Sequence, residues 1–150
     1  MPTERSTLTL RRERVLLVGV QPPGEGDGEA PLAELEALLR TAGGIPVGRV
    51  LQRREAPDPV AYLGRGKLDE IRALAAGEGA DALVTDDELS AAQIRNLEKA
   101  TGIRVFDRSE LILDIFAVGA RTREAKLQVA LAQMEYGLPR LRRSWPHLDR

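Results

Sequence analysis

The stretch ALVTDDELSAAQIRNLEKATGIRVF, Ala82 to Phe106, reads as strand, helix and strand in succession. Ala82-Leu83-Val84-Thr85 is apolar on both faces, as a strand inside a parallel sheet would be. Ser90, with Gln93 three positions later, spells a capping box that starts a helix, because the serine oxygen accepts from an orphan amide while the glutamine reaches back. Ile94, Leu97 and Ala100 line one side of that helix, Gly102 closes it, and Arg104-Val105-Phe106 is the next strand.

The same alternation extends towards the N-terminus. Val15-Leu16-Leu17-Val18-Gly19-Val20 is a strand; Pro31 opens a helix carrying Leu32, Leu35, Leu39 and Ala42, stopped by Gly43-Gly44. Val47 to Leu51 is a further strand, and Gly66-Lys67 opens a helix with Leu68, Ile71, Leu74 and Ala75 on one side, ended by Gly77 and Gly79. Alternation of this kind predicts an α/β fold with a parallel, about four-stranded sheet flanked by helices on both faces. After Asp107 the pattern becomes helical. Ser109 is placed to cap a helix bearing Leu111, Ile112, Ile115 and Phe116, Gly119 interrupts it, and Thr122 caps another. There Leu127, Leu131, Met134, Leu138 and Leu141 step by four and three, the spacing of a coiled-coil seam that needs a partner, with Pro139 fraying its end. The expected division is a tail over 1–14, an α/β subdomain over 15–108 and a helical, hairpin-type segment over 109–150.

Composition narrows the chemistry. The 150 residues include no cysteine, which removes disulfides, thiolate metal sites and thiol nucleophiles. No apolar run approaches the roughly 20 residues that span a bilayer, and Met1 to Arg14 has no apolar core of a secretory signal, so a cytoplasmic protein is expected. A net charge of -1 gives no global pull towards nucleic acid, so any such affinity must be local.

Four places invite a functional reading. Gly24-x-Gly26-x-Gly28 sits where a dinucleotide loop would, but its spacing differs and Glu25, Asp27 and Glu29 would repel a pyrophosphate. Gly64-Arg65-Gly66-Lys67 lacks the first glycine of a P-loop, position 61 being Ala, and Leu68 replaces the magnesium-holding hydroxyl. Two glycines and two cations at a helix start still form a candidate phosphate contact, the alternative being a turn that merely launches the helix. Asp86-Asp87-Glu88, beyond a strand end, is either a hard-cation site or an acidic loop paired with Arg65 or Lys67. Finally, residues 121–150 hold seven Arg and Lys against three carboxylates. Within them Arg140, Arg142, Arg143 and Arg150 alternate with the rings of Trp145 and His147, the composition that grips phosphates and stacks on unpaired bases; the plainer reading is a tail of solvated arginines. His147 is the only histidine, with no serine and carboxylate around it in the order of a hydrolytic triad.

The strings Leu63-Gly64-Arg65-Gly66-Lys67-Leu68-Asp69-Glu70-Ile71, Asp86-Asp87-Glu88-Leu89-Ser90 with Gln93, Arg95, Asn96, Leu97 and Glu98, and Asp107-Arg108-Ser109-Glu110-Leu111-Ile112-Leu113-Asp114-Ile115-Phe116-Ala117 resemble the N-terminal domain of HflX-type ribosome-associated GTPases. So do Ala120-Arg121-Thr122-Arg123-Glu124-Ala125-Lys126-Leu127-Gln128-Val129 and Leu131-Ala132-Gln133 through Trp145 and His147-Leu148. The resemblance runs from about Val15 to Arg150. It implies a cytoplasmic, stress-response module that binds the large ribosomal subunit and its RNA in ribosome splitting or rescue, through a loop that begins at about Arg142. The sequence has no G-x-x-x-x-G-K-[ST], D-x-x-G or N-K-x-D. The resemblance therefore implies an N-terminal piece lacking the G domain: no catalytic residue, metal ligand or cofactor of its own, GTP and magnesium bound only by the parent's G domain, and no GTP hydrolysis unaided. Expected partners are the large subunit, the parent's own G domain, and a second copy meeting the uncovered helix to form a homodimer. The competing reading is a nucleotide or small-ligand-binding α/β domain.

Overall fold

A computed structural model describes residues 10–24, 32–119, 127, 128, 130–132, 134 and 135. Four parallel strands, β1 (Arg14–Gln21), β2 (Ile45–Arg53), β3 (Ala82–Thr85) and β4 (Arg104–Phe106), form one sheet in the order β2-β1-β3-β4. The helices are α1 (Ala33–Thr41), α2 (Arg65–Glu78), α3 (Ala91–Thr101) and α4 (Arg108–Gly119). The expected class is thus the observed one.

Strand residues alternate between two cores because successive side chains leave opposite faces. Val15, Leu17, Ala82, Val84 and Phe106 meet Leu35 and Leu39 of α1 and Leu111 of α4. Leu16, Val18, Leu83 and Val105 meet Ile71 of α2 and Ile94 and Leu97 of α3. Each fully buried leucine here contributes about 2 kcal/mol of apolar transfer.

Several boundaries differ from the expected ones, each for a local reason. β2 runs from Ile45, not Val47, because it pairs with β1 along its whole length; Pro46 is tolerated on an edge strand, where the register shifts opposite Val15 and Leu16. Helix α1 starts at Ala33, after Leu32 adopts a left-handed φ of 69° that turns its side chain into the core; Pro31 lies outside the described residues. Helix α2 starts at Arg65 with Gly64 as its cap and passes through Gly77 to end at Gly79, whose φ of 65° suits glycine. Helix α3 keeps the expected Ser90–Gln93 box, both hydrogen bonds being present.

The cap of α4 is Asp107 rather than Ser109. The Glu110 amide donates to Asp107 Oδ1, and the Asp107 amide donates back to Glu110 Oε1, a reciprocal box with Asp in the serine's place. Ser109 instead donates to Glu88. Within the expected 1–14 tail, Leu10 is fully buried in the α1/α4 core. Positions 127, 128, 130–132, 134 and 135 are helical, with Leu127, Leu131 and Met134 64%, 58% and 69% exposed. Leu138, Leu141 and Pro139 lie outside the described residues.

Candidate functional site

In open α/β sheets ligands meet the carboxyl ends of the strands where the order reverses, here between β1 and β3. The Asp86 amide donates to Val18 O and carries the ladder past the strand ends. Beyond it the three carboxylates part company. Asp86 accepts from Arg108 at 2.8 Å, Asp87 from the Tyr62 hydroxyl at 2.6 Å, and Glu88 from Ser109 at 3.0 Å. They therefore do not converge on a cation, and their partners are Arg108 and Tyr62 rather than Arg65 or Lys67. Among the described residues no cluster of three or more His, Asp or Glu is arranged to hold a metal. Leu68 of α2 stands where a P-loop would carry its magnesium-holding hydroxyl.

Arg108 joins the end of β3 to α1, its second nitrogen 2.8 Å from Glu34. Glu34, chiefly, and Asp86 hold the Arg108 guanidinium above its ordinary pKa, while burial pushes the Asp86 carboxyl up against the opposing pull of Arg108. Tyr62 is fully buried with a φ of 72°. Burial, and then its bond to Asp87, raises its phenol far above the usual range, so it stays a donor at any ordinary pH. The turn that delivers Tyr62 is self-supporting. Asp58 Oδ2 accepts from the amides of Val60 and Ala61, a pairing that holds its carboxyl below the usual carboxylate range, and Asp58 and Tyr62 exchange backbone bonds. Gln93 and Asn96 of α3 clamp the same turn by donating to Asp58 O and Val60 O.

We expect Tyr62→Phe to cost about 1.5–2 kcal/mol, the worth of a hydrogen bond to a charged acceptor. The urea midpoint should fall at unchanged slope; an unmoved midpoint would show that the turn stands without the Asp87 link.

Gly64, Arg65, Gly66 and Lys67 come together at the first turn of α2. The Gly64 amide is taken by Gln52 Oε1 at 2.9 Å, and Lys67 pairs with Glu70 at 3.2 Å. Arg54 is close by, its Nη1 3.2 Å from where a Gly64 Cβ would lie, and a Cβ on Gly66 would meet open space. Arg140, Arg142, Arg143, Trp145, His147 and Arg150 lie outside the described residues. Sequence reasoning missed Tyr62, Glu34 and Arg108 as parts of one constellation. The only local signal was that Arg108 stands just past a strand end.

Two family descriptions match the chain: a GTP-binding GTPase N-terminal region over residues 29–117 and a GTP-binding GTPase middle region over 119–150. GTPase HflX of Lacrimispora saccharolytica is 49% identical over 93% of this chain and 33% of its own length. GTPase HflX of Escherichia coli is 44% identical over 92% of this chain and 32% of its own. The chain thus spans about a third of the curated relatives it matches. Among solved structures, a GTP-binding protein from the hyperthermophilic archaeon Sulfolobus solfataricus in complex with GDP aligns at TM-score 0.61 and 25% identity, covering 85% of this chain and 39% of that one. No helix among the described residues is long and apolar enough to cross a membrane.

Proposed function

This chain belongs to the GTP-binding GTPase N-terminal family, as the N-terminal region of an HflX-type GTPase, and from that premise we propose that it is a module that binds the RNA of the large ribosomal subunit and does not hydrolyse GTP by itself. In the parent it would act beside the G domain that holds GTP and magnesium, in splitting or rescuing ribosomes. The observation that carries this reading is the cationic surplus of residues 121–150, where Arg140, Arg142, Arg143 and Arg150 are interleaved with Trp145 and His147. We assign the phosphate and base contacts to those six residues, in a helical segment over 109–150 that follows an α/β subdomain over 15–108. The cytoplasm is where such a partner would be met.

Large-subunit binding measured across a salt series tests it. The double variant Arg142→Ala/Arg143→Ala should lose about one unit of log–log salt slope per lost phosphate contact, with weaker affinity at every salt concentration. Unchanged affinity and slope, or turnover of GTP by the purified chain, would overturn the proposal.

A second reading rests on Arg54 beside Gly64 and the open approach to Gly66. It makes Gly64, Arg65, Gly66 and Lys67 the phosphate contacts of a nucleotide or small-ligand site. Saturable binding of ATP or GTP in calorimetry, abolished by Lys67→Ala, would favour it. The exposed Leu127, Leu131 and Met134 are the face we assign to a covering helix or to a second copy in a homodimer.

A further inference from the structure

Ahead of β1 the chain forms a short strap between the α1–β2 turn and α4. At one end the Arg12 amide donates to Gly43 O and the Ile45 amide to Glu13 O, each at 2.8 Å, and the Glu13 carboxylate pairs with Arg104 of β4. At the other end the Leu10 side chain is fully buried in the core that holds Leu39 of α1 and Leu111 of α4, and its amide donates to Asp114 Oδ2 of α4 at 3.1 Å. Between the two ends the Glu13 amide returns to Leu10 O, with Arg12 held at a φ of 65°, a strained conformation for a residue other than glycine.

We propose that residues 10–13 form a releasable clasp: docked, they hold the distal half of α4, from Asp114 on, against the core; released, they free that half while the sheet and the first turn of α4 stay folded. Helix α4 is fastened unevenly. Its first turn is tied by the Asp107–Glu110 box, by Arg108 to Asp86 and Glu34, and by Ser109 to Glu88. Beyond that turn Leu111 and Asp114 are buried, Ile115 packs partly on the same core, and Phe116 is 57% exposed. Leu10 therefore grips α4 where its other fastenings end.

The same bonds say why release is local. Lifting Leu10 breaks one amide bond and uncovers one leucine, whereas opening β1 breaks ladders to β2 on one side and β3 on the other. They also say why strap and helix move together. Asp114 is 3% exposed, and once Leu10 leaves, its carboxyl has lost a donor in a place where a lone polar group is unfavourable. The turn that carries it follows the strap out to water, and Leu111 and Ile115 lose the leucine in their cluster. Because α4 runs on towards the cationic residues 121–150, the clasp sets how firmly that segment is joined to the α/β core, whatever the segment binds.

Amide hydrogen exchange on the full chain at one fixed pH, corrected for intrinsic rates, tests this. The Leu10 amide and the amides of Ile115, Phe116 and Ala117 should share one level of protection, below that of Leu111 in α4 and of Leu17 in β1. Leu10→Ala should lower protection at position 10 and at those three distal amides by the same factor, about tenfold or more. Where that variant does not fold, Leu10→Val is read instead, with a common fall of about threefold to tenfold. Two results would overturn the proposal. Distal α4 amides as protected as Leu17 mean that the helix leaves only when the whole fold opens. Distal amides unmoved by the change at Leu10 mean that the helix end frays without the strap.

Discussion

Asp107→Ala is expected to lower the stability of the fold by about 3–4 kcal/mol, a large part of the 5–15 kcal/mol available to a domain of this size. One carboxylate ties together two elements that the sequence separates. Oδ1 accepts the orphan amide of Glu110 at the start of α4, and Oδ2 accepts the amide of Leu89 just ahead of α3, both at 3.0 Å. Asp107 and Glu110 are fully buried, so alanine would strand two amide donors where water cannot replace the lost acceptor. Asp107→Asn keeps an acceptor for one of the two amides and should fall between wild type and alanine. Urea unfolding checks both; a loss below 1 kcal/mol for the alanine variant would mean that the two amides find other acceptors.

Gly44→Ala should cost about 2–3 kcal/mol through overpacking alone. A methyl there would sit 2.4 Å from Leu39 Cδ1 and 2.9 Å from Leu39 Cγ, and Leu39 is fully buried. The preceding Gly43 differs. Its φ of +88° asks for a residue without a side chain, but its nearest neighbour is the flexible Arg11, so Gly43→Ala should cost only about 1 kcal/mol. The two causes separate in a double-mutant cycle with Leu39→Ala. Shortening Leu39 removes the clash, so the double variant with Gly44→Ala should be less damaged than the two single losses predict, whereas the double with Gly43→Ala should be additive. Additivity in the Gly44 cycle would place the cost in the backbone instead.

These two positions also show what local sequence can and cannot reveal. The strands and helices were legible because apolar spacing and the Ser90–Gln93 box act within one element. Asp107–Glu110 has the same i to i+3 logic, but in sequence Ser109, two residues on, offers a competing cap. The pairings beyond the strand ends are not legible at all. Tyr62 finds Asp87 across 25 residues, and Arg108 finds Asp86 across 22 and Glu34 across 74, pairings that only the sheet order creates. Buried Leu10 reads as part of a tail because it is followed by Arg11-Arg12-Glu13-Arg14, a charged run that masks one anchoring leucine. The phosphate-contact candidates at Gly64 to Lys67 are neighbours in sequence, whereas Gln52, which binds the Gly64 amide, lies 12 residues away.

The outer side of β2 has no strand beside it among the described residues, and on it Pro46 offers no amide. A stranger's backbone trying to zip onto that border would meet a missing rung, which makes the sheet a poorer seed for fibres. Should concentrated solutions cloud, the adhesive to suspect is the bare leucine and methionine of the last helix, and a shielding polar substitution belongs there rather than in the strands.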